Sequence, residues 1–172
     1  MNGPVLAFDK SQPKIMQIQA MARRLGVEDR IHAKVQDATK ADLNPQSFDK
    51  ILLDAPCSAL GQRPMLVQEA KVKELKSFPK LQKKLFDKAM ELLKPGGILV
   101  YSTCTVTLDE NENLILWALE KYGKDLELCP TWPRLGQPGH QMGQEFGEKV
   151  QRFGPGDKNS SIGYFLAKFQ KK

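Results

Sequence analysis

Short apolar runs that each close on an acidic or polar residue, separated by stretches of helical periodicity, constrain this chain more than any other feature. Val5-Leu6-Ala7-Phe8 reads as a buried strand closing at Asp9. Ser11 is placed to cap the next helix and Pro13 is tolerated in its first turn. Ile15, Ile18, Ala22 and Leu25 recur at helical spacing, and Gly26 ends that helix. Residues 31–35 predict a second strand, closing at Asp37, and residues 48–53 a third. The contiguous Ile51, Leu52 and Leu53 predict a strand covered on both faces. A weakly amphipathic helix is expected over 66–76, and a clearer one on Leu81, Leu85, Ala89 and Leu92 that stops at Lys94-Pro95-Gly96-Gly97. Ile98-Leu99-Val100-Tyr101 is a fourth buried strand, running straight into Ser102-Thr103-Cys104. A helix over 109–122, strands over 126–128 and 161–169, and a long Gly- and Pro-rich loop over 131–147 complete the pattern. This alternation predicts one doubly wound α/β domain over residues 1–172, a mostly parallel sheet with helices on both faces.

Composition narrows the class. No apolar run approaches the roughly 18–20 residues that span a bilayer. The start, Met1-Asn2-Gly3-Pro4, lacks the basic and apolar regions of a signal peptide. A cytoplasmic protein, with the nucleus as the alternative, is the expectation. Lys and Arg number 26 against 20 Asp and Glu, a net charge of +6 that suits a polyanionic partner but is shared by many plain proteins. The three cysteines, Cys57, Cys104 and Cys129, form no C-x-x-C pair, so neither a zinc ribbon nor thioredoxin-like chemistry is expected, and no metal. A nicotinamide-dependent enzyme is a poor fit, because no G-x-G-x-x-G is present.

In sheets of this kind ligands bind beyond the carboxyl ends of the strands. Asp9, Asp37, Asp54 and Cys104 each stand just past an expected strand end and are expected to open on one rim. Any one of them alone is more often a turn or helix-cap residue, but four together are harder to read that way. The position of Asp9 is also where a carboxylate meets ribose hydroxyls in nucleotide-binding folds.

Ile51-Leu52-Leu53-Asp54-Ala55-Pro56-Cys57-Ser58, followed by Gly61-Gln62-Arg63-Pro64, resembles the fourth motif of the Sun-domain (RsmB/Sun-type) RNA cytosine-C5 methyltransferases. Leu93-Lys94-Pro95-Gly96-Gly97, Val100-Tyr101-Ser102-Thr103-Cys104-Thr105 and Glu110-Asn111-Glu112 are similar to that family's fifth and sixth motifs, and Ser161 to Phe169 to its last strand. The Gly-Gln-Arg-Pro variant and the tail resemble the family's tRNA-directed sixth branch more than its nucleolar ones. The resemblance implies a Rossmann-like class I methyltransferase fold, S-adenosyl-L-methionine as cofactor, and RNA, in particular tRNA, as partner. It also implies residue roles. Cys104 is the nucleophile that adds to cytosine C6, Cys57 assists product release, and Asp54 hydrogen-bonds the cytosine N3/N4 edge beside the cofactor. Asp9 holds the cofactor ribose, Asp37 the adenine amino group, and Arg63 either shapes its loop or touches RNA. The target base has to leave its stack to reach such a pocket.

The family's first motif, a strand and a glycine-rich turn that cradles the methionine end of the cofactor, has no counterpart in the eight residues before Asp9. In the family that strand lies between the strand ending at Asp9 and the one ending at Asp54. A gap or two new sheet edges are therefore expected. A catalytically inactive fragment or alternative product, binding RNA or protein at most, is the competing expectation. Cys129 is expected to be structural, His32 and His140 to be ordinary histidines, and Lys71, Lys73, Lys76, Lys80, Lys83 and Lys84 to be a solvated helical face. Beside their place in the sixth motif, Glu110 and Glu112 also have a plainer reading, that they only favour a helix N-terminus.

Overall fold

A computed structural model describes residues 3–62, 72–155 and 161–172. The chain divides into two compact units, Met1–Leu43 and Asn44–Lys172. The first is a single βαβ element: strand β1 (Val5–Asp9), helix α1 (Gln12–Arg24) and strand β2 (Ile31–Val35). The strands pair in parallel with Val5 opposite Ile31 and Asp9 opposite Val35, the arrangement a helical crossover requires. Ile15 and Ala22 are the buried residues of α1, and Gly26, at φ 64°, takes the left-handed turn that ends it. Ser11 occupies the N-cap position but its side chain makes no cap bond. Instead its backbone N–H donates to Asp9 Oδ1 at 2.7 Å.

The second unit contains strand β3 (Phe48–Asp54), helices α2 (Val72–Leu75) and α3 (Phe78–Leu92), strand β4 (Leu93–Thr103), helix α4 (Glu112–Tyr122), strand β5 (Leu126–Cys129), the short helix α5 (Gly143–Gly147), and strands β6 (Gln151–Phe153) and β7 (Tyr164–Lys171). Its sheet runs β3-β4-β7-β5, with β6 also on β7. The β3–β4 pair is parallel, and β7 lies antiparallel to β4 and β5. β4 begins directly at Leu93, so Lys94-Pro95-Gly96-Gly97 lies inside the strand rather than ending a helix before it. The register absorbs this segment as a bulge: Phe48 faces Leu93, yet Lys50 already faces Ile98. Gly96, at φ 77°, supplies the conformation that bend needs. Both β6 and α5 lie in or just after the expected long loop. The N-terminal part of the helix expected over 66–76 lies outside the described residues.

Among the described residues the strands form two sheets, and β1 and β3 each pair on one side only. The expectation of a β3 covered on both faces fails. Leu52 is 70% exposed while Ile51 and Leu53 pack against the core, so the strand is half-buried with ordinary alternation. The apolar run alone carries no information on whether anything covers the second face.

The core of the second unit centres on Phe86, which is fully buried. Its ring lies 5.4 Å from Phe169 and 6.0 Å from Trp117, both edge-on, with Tyr122 at 6.3 Å and Tyr101 at 6.5 Å. One residue of α3 thus ties together α4, β4 and β7. Replacing Phe86 with Ala is expected to cost about 3–5 kcal/mol of stability, measured as a shift in the urea midpoint at constant slope.

Candidate active site

The parallel register of β3 and β4 sets Asp54 opposite Ser102, so both strands leave the sheet side by side. The loop after β3 then folds over the end of β4. Ala55 donates its N–H to Ser102 O at 3.0 Å, and Gly61 donates to Cys104 O at 3.0 Å. Gly163 fastens the far side of the loop through its N–H to Gly61 O at 2.7 Å. A Cβ on Gly61 would stand 2.4 Å from Gly163 O, so this approach needs glycine. The outcome is that Cys57 Sγ lies 3.2 Å from Cys104 Sγ. Gln62 Nε2 donates to Cys104 Sγ at 3.3 Å, and Asp54 Oδ1 accepts from Ser102 Oγ at 2.8 Å. Asp54, Cys57 and Cys104 are thereby brought to one end of one strand pair. Gln62 is a site residue that the sequence did not single out.

The two thiols are free and half-buried. Burial pushes the Cys57 thiol up to about 12, with its hydrogen bond to Cys104 adding to the effect. Cys57 is therefore a protonated S–H donor throughout the neutral range. Cys129 sits apart at the end of β5, its thiol directed at Glu127 O.

Three consecutive residues before and at the start of α4 hold this arrangement from beneath. Glu110, Asn111 and Glu112 are all buried, and none acts merely as a helix-terminal charge. Glu110 accepts from the Ser58 N–H, the Ser58 hydroxyl, Gln82 Nε2 and Thr107 Oγ1, at 2.6–3.0 Å. Asn111 accepts from Thr103 Oγ1 at 2.6 Å and donates to Thr105 O at 3.1 Å. Glu112 receives Arg152 Nη1 on both oxygens at 2.7 Å and the His140 backbone N–H at 2.9 Å. Polar residues at a helix start are usually solvated, and these are buried because loops distant in sequence close over them. The acidic triplet was visible in the sequence; its burial was not.

Asp9 and Asp37 belong to the first unit. Asp9 takes the Ser11 N–H and faces Lys14 at 3.5 Å. Asp37 accepts both the N–H and the hydroxyl of Thr39 and pairs with Lys10 at 3.0 Å. The Thr39 hydroxyl, aided by Lys10, holds its carboxyl down at about 2. Arg63 lies outside the described residues.

Residues 1–170 match the family model described as 16S rRNA methyltransferase RsmB/F. The human tRNA (cytosine(72)-C(5))-methyltransferase NSUN6 is 40% identical over 208 residues, covering 98% of this chain and 44% of its own length. The tRNA (cytosine(72)-C(5))-methyltransferase of Pyrococcus horikoshii is 39% identical, covering 98% of this chain and 41% of its own. The crystal structure of NSun6 from Pyrococcus horikoshii with SFG matches at a TM-score of 0.86 and 38% identity, over 98% of this chain and 41% of that one. A putative rRNA-methylase from Clostridium thermocellum, at 17% identity and a TM-score of 0.60, covers all of this chain and 77% of its own, and shares the fold alone. The chain thus spans less than half the length of these curated relatives.

Two outcomes follow from the geometry. At pH 8 a thiol titrating at about 12 is thiolate on the order of one part in ten thousand, against about a quarter for an ordinary thiol near 8.5. The higher-pKa thiolate is also the stronger nucleophile, so iodoacetamide should label Cys57 some tens of times more slowly than a free cysteine peptide, read by peptide mass spectrometry. Equal rates would contradict its burial. Replacing Arg152 with Ala strands the Glu112 carboxylate in the interior and should cost about 3–5 kcal/mol in chemical denaturation.

Proposed function

The chain belongs to the RsmB/F family of RNA methyltransferases and has the mixed α/β fold of class I methyltransferases, and from that premise we propose that it serves S-adenosylmethionine-dependent methylation of cytosine C5 in RNA, with tRNA as the substrate. The observation that carries the reading is the 3.2 Å approach of Cys57 Sγ to Cys104 Sγ at the ends of two adjacent parallel strands.

Cytosine C5 is a poor nucleophile, so the ring has to be activated before it accepts a methyl group. Cys104 gives up its thiol proton to solvent and adds to C6 as the thiolate, and the displaced ring electrons make C5 nucleophilic. Asp54 is exposed at its strand end and accepts from Ser102 on one oxygen, so it retains acceptor capacity for the N4 amino edge of the base. When bound, S-adenosylmethionine supplies the methyl group that C5 takes up. A base then removes the C5 proton, the C5–C6 double bond re-forms, and the S–C6 bond breaks with its electron pair returning to Cys104 Sγ. Cys57, protonated and within hydrogen-bond distance, donates to that departing sulfur.

The cofactor's ribose and adenine fit what Asp9 and Asp37 offer. Each carboxylate is only partly buried and has lone pairs beyond its local partners, and a carboxylate held near 2 is an acceptor suited to ribose hydroxyls or an adenine amino group. A second reading, a module that binds RNA or protein, draws on the exposed apolar Leu52 of β3 and Val5 and Val35 of the first unit. Calorimetric titration with S-adenosylmethionine separates the two: tight binding supports the enzyme, and no binding supports the module.

The mechanism is tested with RNA carrying 5-fluorocytosine on the full-length protein. A covalent protein–RNA adduct is expected on denaturing gels, and Cys104→Ala should abolish it. Cys57→Ala should instead leave ordinary cytosine RNA trapped on the protein. An undiminished adduct in Cys104→Ala would sink the mechanism.

A further inference from the structure

The Glu110 carboxylate is 1% exposed, and its charge is met by four neutral donors rather than by a cation among the described residues. Where those donors sit is the telling point. Two belong to Ser58, the residue after Cys57. A third, Gln82 Nε2, also donates to Pro56 O at 2.9 Å, the residue before Cys57. Glu110 therefore holds the backbone on both sides of Cys57. The Ser58 hydroxyl has one proton, committed to Glu110, so at 2.7 Å it accepts from Thr105 Oγ1, the residue after Cys104. Asn111 completes the pattern, bonding Thr103 and Thr105 on the two sides of Cys104.

We infer that Glu110 and Asn111 form a positioning device that holds the two sulfurs in register, with Glu110 placing Cys57 for the release step. This rests on the roles proposed above for Cys57 and Cys104. Glu110 does not touch the reacting atoms; it acts through Ser58 and Gln82. Bonds to a buried carboxylate resist displacement, which suits a group that fixes a neighbour's position. A brace that only stabilised the fold would affect attack and release together. A brace that places Cys57 affects release selectively, and misplacement by a fraction of an ångström to an ångström is enough to slow a step by about tenfold to a hundredfold.

The test uses Glu110→Gln and Ser58→Ala in the same full-length protein with ordinary cytosine RNA, beside Cys57→Ala. In Glu110→Gln the Ser58 and Thr107 hydroxyls are able to accept from the new amide, so the fold is retained. Ser58→Ala removes only the hydroxyl and keeps the backbone bond to Glu110; it decides the matter alone if the other variant does not fold. Both variants should accumulate the denaturation-resistant RNA adduct, with release slowed about tenfold or more, while methyl incorporation in the first turnover stays within about threefold of the parent. Equal slowing of both steps, or no slowing of either while Cys57→Ala traps RNA, overturns the inference alone. Failure of Cys57→Ala itself to trap RNA overturns the release role of Cys57, and this inference with it.

Discussion

The parallel pairing of β3 with β4 is the constraint on which the rest of the second unit depends. With Asp54 fixed opposite Ser102, a loop that leaves β3 and one that leaves β4 begin at the same level. Two cysteines far apart in sequence then meet within 3.2 Å. A shift of one residue in that register would turn every side chain to the opposite face and separate the sulfurs. The register is in turn guarded by packing. Ile51 and Leu53 of β3, and Leu99 and Tyr101 of β4, belong to one apolar cluster with Phe86 at its middle.

Beneath the strand ends the structure relies on buried polar groups rather than on apolar filling. This is a costly choice unless every group is bonded. Glu110, Asn111 and Glu112 are bonded throughout, and Tyr101 adds its hydroxyl to Glu110 O at 2.7 Å. One atom is left out: Gln82 Oε1 is buried and unpartnered among the described residues. Its amide uses both N–H groups on Pro56 O and Glu110, so the oxygen goes unpaired to keep the cysteine loop in place. Such a network gives less stability than a well-packed apolar core, but it allows few alternative geometries.

Much of this was legible beforehand, for identifiable reasons. Strands ending at Asp9, Val35 and Asp54 were readable because apolar runs and their polar stops are local signals. The cysteine motifs were readable because their residue types are rare in such order. What escaped was set by contacts remote in sequence. The burial of Glu110 depends on Ser58, about fifty positions away, and that of Glu112 on Arg152, forty away. β6 is three residues long and too short for any periodicity to show. The exposed face of Leu52 was misread because an apolar run looks the same whether or not a neighbour covers it.

The most direct measurement of the central claim is the site of covalent attachment. The full-length protein is reacted with S-adenosylmethionine and RNA containing 5-fluorocytosine, digested with protease and nuclease, and analysed by tandem mass spectrometry. The account predicts a methylated fluoronucleotide on Cys104, with Cys57 unmodified. A nucleotide on Cys57, or on neither cysteine while methyl transfer proceeds, would contradict it.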